Sequence, residues 1–341
     1  MATRTRPLSL VARVVDDLRT DGSGWVLLTV SFGWFLTLGV RIVYPTLLPQ
    51  VTTEFSVGNA TAGLFIGGLW TTYALLQFPG GALADAVGER LVLVGSLLLS
   101  TLGVGAIFLS TGLPTFIAAT VVLGLSTGLY GTTRITVISA TYDRMEATAI
   151  GVSQAAGNVG NVVLTATAGA VAAWVGWRWG FGYLVPLLLL CGAGLWLTVP
   201  RRAAPTTGDE SFPETMRRVL AVVRRPRVLA VFALLSLNMF LYQSVTGFLP
   251  TYLVEQKGLT PGAAATLYSA FFAAAIAVQF LSGAVADRRG NRVAIAAFVG
   301  ASVPVFVLLT VVKGVVAVAT AVVLLSVLLG GMPPINTVGV G

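Results

Sequence analysis

Gly81-Ala-Leu-Ala-Asp85-Ala-Val-Gly88-Glu89-Arg90 and Gly283-Ala-Val-Ala-Asp287-Arg288-Arg289-Gly290-Asn291-Arg292 are two copies of one short polar hairpin, each set between long apolar segments. Gln77-Phe78 precedes the first copy and Gln279-Phe280 the second, so Gln, Phe, Gly, Asp, Gly and Arg recur at a single offset of 202 residues. One offset shared by that many positions marks a duplicated unit.

The flanks decide the solvent. With 56% hydrophobic and 10% charged residues and a mean hydropathy of +0.88, the chain has more apolar surface than a soluble core can bury. It reads as an all-α integral membrane protein, because a helix of about 20 apolar residues crosses a hydrocarbon core of ~30 Å. Ten such runs are expected as spans 1–10, near 25–48, 60–80, 91–111, 114–139, 147–174, 179–199, 228–253, 261–284, 293–312 and 315–337. Short connections make successive spans antiparallel neighbours. One long connection, 200–227, is rich in Pro, Arg and acidic groups and separates six spans from four. The organisation is then a segment 1–24, a six-helix bundle 25–199, a central loop 200–227 and a four-helix bundle 228–341.

Lys and Arg in short loops stay on the cytoplasmic side. Of the 21, sixteen fall in the N-terminal segment and the even-numbered loops, three on the opposite side (Arg178, Lys257, Lys313), and two, Arg41 and Arg134, inside spans. The N-terminus, the central loop and both hairpins are therefore expected in the cytoplasm. The net charge of +8 follows from this topology; the arginines are dispersed at span ends, so nucleic acid is not an expected partner. The bilayer is.

Cys191 is the one cysteine and histidine is absent, so disulfide and thiol–metal sites are not expected. No H-E-x-x-H, phosphate loop or acidic pair within a span points to an enzyme or a cofactor. Leu8, Val11, Val14, Val15 and Leu18 follow helical spacing between charges, which suits either a helix on the membrane surface or a frayed tail.

The hairpin chemistry is specific. Gly81 and Gly283 leave room for close helix contact, and Gly88 and Gly290 suit a left-handed backbone that reverses the chain. Asp85 and Asp287 close the preceding spans, where a carboxylate opposes the helix dipole and requires a cation or another helix N-terminus. Arg90 and Arg292, five residues on, are within reach. A single copy reads as a charged turn; two equivalent copies argue for function.

This G-x-x-x-D-x-x-G-x-R pattern between spans 2 and 3, echoed between spans 8 and 9, resembles the signature of the major facilitator superfamily. Six spans, a long cytoplasmic loop and the same order again extend the likeness over essentially the whole chain, as does Gly176-Trp177-Arg178-Trp179-Gly180-Phe181 between spans 5 and 6. The resemblance implies two bundles related by a twofold axis along the membrane normal, each of inverted three-helix repeats, rocking about a central site. It implies a multi-pass cell-membrane transporter, working as a single chain on a small-molecule solute. The hairpin would be a cytoplasmic latch whose Asp contacts the opposite bundle, with Gly81, Asp85, Gly88 and Arg90 in one copy and Gly283, Asp287, Arg288, Gly290 and Arg292 in the other. The first copy departs from the pattern at Ala86 and Glu89.

By the same resemblance spans 1, 4, 7 and 10 line the cavity. Trp34, Thr37, Arg41 and Tyr44 share one face of span 1. Counted from Trp25, Arg41 lies ~24 Å into the membrane. A guanidinium there faces protein or water and favours a carboxylate or other oxyanion, or else it snorkels to the interface. Span 4 offers Thr127, Tyr130 and Arg134; Tyr130 is a cavity candidate, and Arg134 is assigned to the latch through Asp85 or Glu146. On span 7, Asn238 and Tyr242 are four apart with Gln243 beside them, as substrate contacts or as packing groups. Pro333-Pro334 near Asn336 suits a bend in span 10. No Asp, Glu or His lies inside a span, so no coupling proton carrier stands out. Gly157-Asn158-Val159-Gly160 lacks the proline of the G-P-x-x-G-G pattern of many superfamily drug antiporters.

The leading reading is a secondary active or facilitated transporter of a small organic anion. Efflux of amphipathic compounds and a non-transporting receptor or scaffold are the alternatives. Four spans follow the first hairpin within its bundle but only two follow the second, so the repeat predicts a chain lacking spans 11 and 12.

Overall fold

The computed structural model describes Leu18, residues 23–201 and residues 226–331. Pro333, Pro334 and Asn336, most of the N-terminal segment and most of the central loop lie outside the described residues, as does the side chain of Asn238. The described backbone is helical nearly throughout, since an apolar run in lipid must satisfy its own amides. Its helices are α1 Gly24–Glu54, α2 Asn59–Val87, α3 Glu89–Phe108, α4 Leu113–Ser139, α5 Glu146–Val175, α6 Trp177–Gly182, α7 Leu184–Thr198, α8 Pro226–Glu255, α9 Pro261–Arg289, α10 Asn291–Val311 and α11 Val315–Leu325. The last runs into a 3₁₀ turn, Ser326–Gly331.

The first nine apolar segments fall largely on helix, the sixth divided into α6 and α7, and the tenth is α-helical over Val315–Leu325, with residues 332–337 outside the described residues. Among the described residues seven spans are long and apolar enough to cross a membrane: α1, α3, α4, α5, α6 with α7, α9 and α10. Val315–Gly330 is apolar but shorter, so length and apolarity alone do not reach the expected ten. Large apolar side chains such as Leu64, Leu102, Leu190 and Val316 are exposed, which fits a lipid surround rather than water.

The helices group into two compact units. One holds α1 through Arg41, Glu54–Leu164, and the chain from Arg178 through α7; the other holds Ile42–Thr53, Thr165–Trp177, and α8 onward. α1 leaves the first unit just after Arg41. There Pro45, inside the helix, has no N–H to donate to the Arg41 carbonyl, and the helix loses one of its own bonds.

In the first unit α4 is the central helix. Its glycines 124 and 128 bring its backbone against Thr72 and the Tyr73 carbonyl of α2. On its other side Ser96 Oγ donates to the Ser126 carbonyl at 2.7 Å and Ser100 Oγ to Ser126 Oγ at 2.8 Å, tying α3 to α4 through buried hydroxyls. Arg178 at the start of α6 pairs with Glu54 at 2.6 Å and donates twice to the Ser110 carbonyl just past α3. In the second unit Tyr268 OH donates to the Thr246 carbonyl and Ser282 Oγ to the Gly330 carbonyl. Lys257 Nζ caps α10 through the Thr310 and Val312 carbonyls.

The duplicated hairpins have one geometry. Gly88 has φ 93° and ψ 141°, Gly290 φ 87° and ψ 155°. The Gly88 N–H reaches the Ala84 carbonyl at 2.9 Å and the Gly290 N–H the Ala286 carbonyl at 2.8 Å, each closing its helix. The next helix then starts in the same way, with Val92 on Gly88 at 3.3 Å and Ala294 on Gly290 at 3.2 Å. Gly81 and Gly283 behave differently from expectation: no described atom lies within 4 Å of where a Cβ would stand on either. They face open space, not a closely packed helix.

Candidate functional site

Two arginines inside the first unit share one indole. Arg41 is 1% exposed, and its guanidinium carbon lies 4.0 Å from the Tyr73 ring, 5.0 Å from Trp70 and 5.4 Å from Trp34. Arg134 is 3% exposed and its guanidinium carbon is 4.2 Å from the same Trp34 ring. The two charges are thus no farther apart than those two indole distances added together. Arg41 Nε donates to the Thr37 carbonyl at 3.2 Å, and Arg134 donates to Ser153 Oγ at 3.0 Å and Gln154 Oε1 at 3.3 Å. Among the described residues neither arginine makes an ion pair.

Trp34 is held from several sides. Tyr130 of α4 stacks on it at 6.4 Å and 11°, with its hydroxyl on the Val30 carbonyl at 2.9 Å. On α5, a Cβ at Gly157 would collide with the indole and with Leu38, and one at Gly160 with the Phe35 carbonyl. The close approach of α5 to α1 depends on these two glycines.

Three N–H donors in this cluster are buried without a partner: Arg41 Nη2, Arg134 Nε and Trp34 Nε1. A buried unmade hydrogen bond costs about 1–3 kcal/mol, more at a charged group. The aromatic faces recover about 0.5–2 kcal/mol per cation–π contact, less than the several kcal/mol of dehydrating each guanidinium. An acceptor carrying negative charge would supply what these donors lack.

The remaining expected residues are dispersed. Thr37 is buried, but its hydroxyl is engaged with the Gly33 carbonyl at 2.8 Å. Tyr44 is buried in Ile42–Thr53 and belongs to the second unit, as does half-buried Tyr242. Gln243 accepts from Thr246 at 3.3 Å. Arg134 does not meet Asp85 or Glu146; it turns to Ser153, Gln154 and Trp34. Asp85 and Asp287 are exposed and, among the described residues, without a partner, and Arg288 and Arg292 are exposed too. Arg90 leaves Asp85 and stacks on Trp196 at 4.0 Å. Trp70, Tyr73, Ser153 and Gln154 complete the cluster from α2 and α5.

Membrane-length helices, a duplicated hairpin and buried cations in one bundle define a polytopic membrane protein with an internal polar site. The chain belongs to the Major Facilitator Superfamily, whose family model matches residues 29–340. It is 24% identical over 221 residues to the Hexuronate transporter of Bacillus subtilis (strain 168), covering 62% of this chain and 52% of that one. It is 24% identical over 259 residues to the Multidrug resistance protein MdtM of Salmonella typhimurium (75% and 61% covered), and 25% identical over 258 residues to the Cis,cis-muconate transport protein of Acinetobacter baylyi (72% and 62%). The chain therefore spans about half to three-fifths of these relatives' length. A crystal structure of a bacterial homologue of the human lysosomal transporter Spinster, inward-facing and occupied, matches at a TM-score of 0.77 and 16% identity, over 90% of this chain and 72% of that one.

Proposed function

We propose that this chain moves a small organic anion by alternating access, with Arg41 and Arg134 as the anion's ligands and Trp34 as their common platform. The observation that carries this reading is the set of three orphaned N–H donors on Arg41, Arg134 and Trp34, with no carboxylate paired to them among the described residues. Donors without acceptors select a ligand that accepts, and guanidinium selects carboxylate geometry. Two of the named relatives fit, since hexuronate and muconate are carboxylates. The reading assigns Arg134 to the solute rather than to a latch. Thr37 serves by presenting its carbonyl to Arg41, and Tyr130 by fixing the indole. The cytoplasmic N-terminus and the latch role of the two hairpins are retained as parts of this proposal.

Efflux of amphipathic compounds is the second reading, favoured by the ring lining of Trp34, Trp70 and Tyr73 and by the likeness to MdtM. Reconstituted full-length protein separates the two. Labelled galacturonate, cis,cis-muconate and a lipophilic cation are offered to vesicles, with Arg41→Ala and Arg134→Ala alongside. Anion flux abolished by either change supports the first reading. Cation flux that ignores both changes, with background anion flux, would replace it by the second.

A further inference from the structure

At the end of the bundle that bears the first hairpin lies a second cationic pocket, separate from the Trp34 cluster. It has a volume of about 290 Å³ and is lined by Val87, Gly88, Arg90, Leu91, Trp196 and Arg201. We propose that it binds a phosphate-bearing anion, and specifically the headgroup of an anionic phospholipid.

Charge comes first. Arg90 and Arg201 line the pocket, while Asp85 and Glu89 do not. The Arg90 guanidinium carbon lies 4.0 Å from the centre of the Trp196 ring, and its Nε is buried without a partner. The cation–π contact holds the guanidinium at the pocket, and the unpartnered Nε is a donor for an oxyanion. Gly88, as the N-cap of α3, offers no side-chain acceptor to the first-turn amides beside the pocket, while Glu89 in the same turn offsets part of the helix dipole.

Shape and surroundings choose the lipid. The volume is at the low end for a ligand pocket, enough for a headgroup fragment and small for a whole transported solute. Val87, Leu91 and Trp196 are about half exposed, and Leu197 is almost wholly exposed. A free phosphate gains nothing from that apolar rim, whereas acyl chains do. On the orientation favoured by the arginine distribution this end meets the cytoplasmic leaflet, where basic pockets between helices recognise anionic headgroups. The hairpin's arginine would then serve the lipid surface instead of its own aspartate.

Native mass spectrometry of the full-length protein tests this with phosphatidylglycerol, phosphatidylcholine and inorganic phosphate as probes. Phosphatidylglycerol adducts should weaken about thirtyfold in R90Q/R201Q, as expected for two surface cations, while phosphatidylcholine adducts stay as in wild type. Retention of the adducts by R90K/R201K, with an unchanged thermal midpoint, separates loss of charge from loss of fold. Inorganic phosphate that displaces the lipid and itself remains bound to wild type but not to R90Q/R201Q assigns the same pocket to free phosphate. Equal phosphatidylglycerol binding by wild type and R90Q/R201Q overturns the proposal.

Discussion

Gly157 and Trp34 compete for one volume: the indole stands where any side chain at position 157 would begin. Because that indole faces both Arg41 and Arg134, a methyl group on α5 acts on two cations of α1 and α4. Gly157→Ala is expected to abolish anion transport while the protein still inserts. Gly151→Ala, on the same helix with open space around it, should transport normally. Normal flux in Gly157→Ala would show that the indole's position is immaterial.

Arg41→Lys keeps the charge but loses the planar fork held against Tyr73 and Trp70. Removal of one charge-assisted hydrogen bond, about 1.5–3 kcal/mol, predicts a rise in KM for a carboxylate of roughly tenfold to a hundredfold. Arg41→Ala should be worse than Arg41→Lys. Equal KM values for wild type and Arg41→Lys would exclude directional recognition.

Arg178 divides its donors between the Glu54 carboxylate and the Ser110 carbonyl. The ion pair is partly exposed and contributes at most about 1 kcal/mol, whereas a charged donor on a carbonyl contributes about 1.5–3 kcal/mol. Thermal unfolding in detergent should therefore show a larger loss for Arg178→Ala than for Glu54→Gln. The reverse order would make the ion pair the dominant contact.

Gly88 and Gly290 occupy positive φ with ψ of 141° and 155°, close to a region reserved for glycine and distinct from the left-handed helical basin that asparagine tolerates. Asn at either position should destabilise as much as Ala, by about 1–3 kcal/mol, and by similar amounts in the two copies. Thermal midpoints restored by Asn would contradict the backbone geometry.

Much of the fold and part of the site were legible in residue spacing. Nine of the apolar runs fall largely on helix and the tenth is helical as far as it is described, and the offset of 202 residues reappeared as matched dihedrals and hydrogen bonds at Gly88 and Gly290. Trp34, Thr37 and Arg41 were found by helical periodicity, which reports a shared face within one helix. It cannot report which helices meet, so Trp70, Tyr73, Ser153 and Gln154 went unread. The partners Arg134 has in this structure escaped notice by the same blindness. Depth along its helix pointed to Asp85 or Glu146, and only the packing of α4 on α5 shows Ser153 and Gln154 in reach. The Ser153-Gln154 pair inside an apolar run was the available signal. Tyr44 has the right spacing from Arg41, but the grouping changes between them, near the turn that Pro45 weakens.

The unpartnered donors of Arg41, Arg134 and Trp34 have a further consequence if they hold the solute as proposed. Chloride and other inorganic anions of the medium would then compete for the same donors, so an incoming solute would have to evict a placeholder. Apparent affinity then becomes an exchange constant that shifts with the salt of the assay. On that reading, discrimination among anions would fall to the rings of Trp70 and Tyr73, which stand against Arg41.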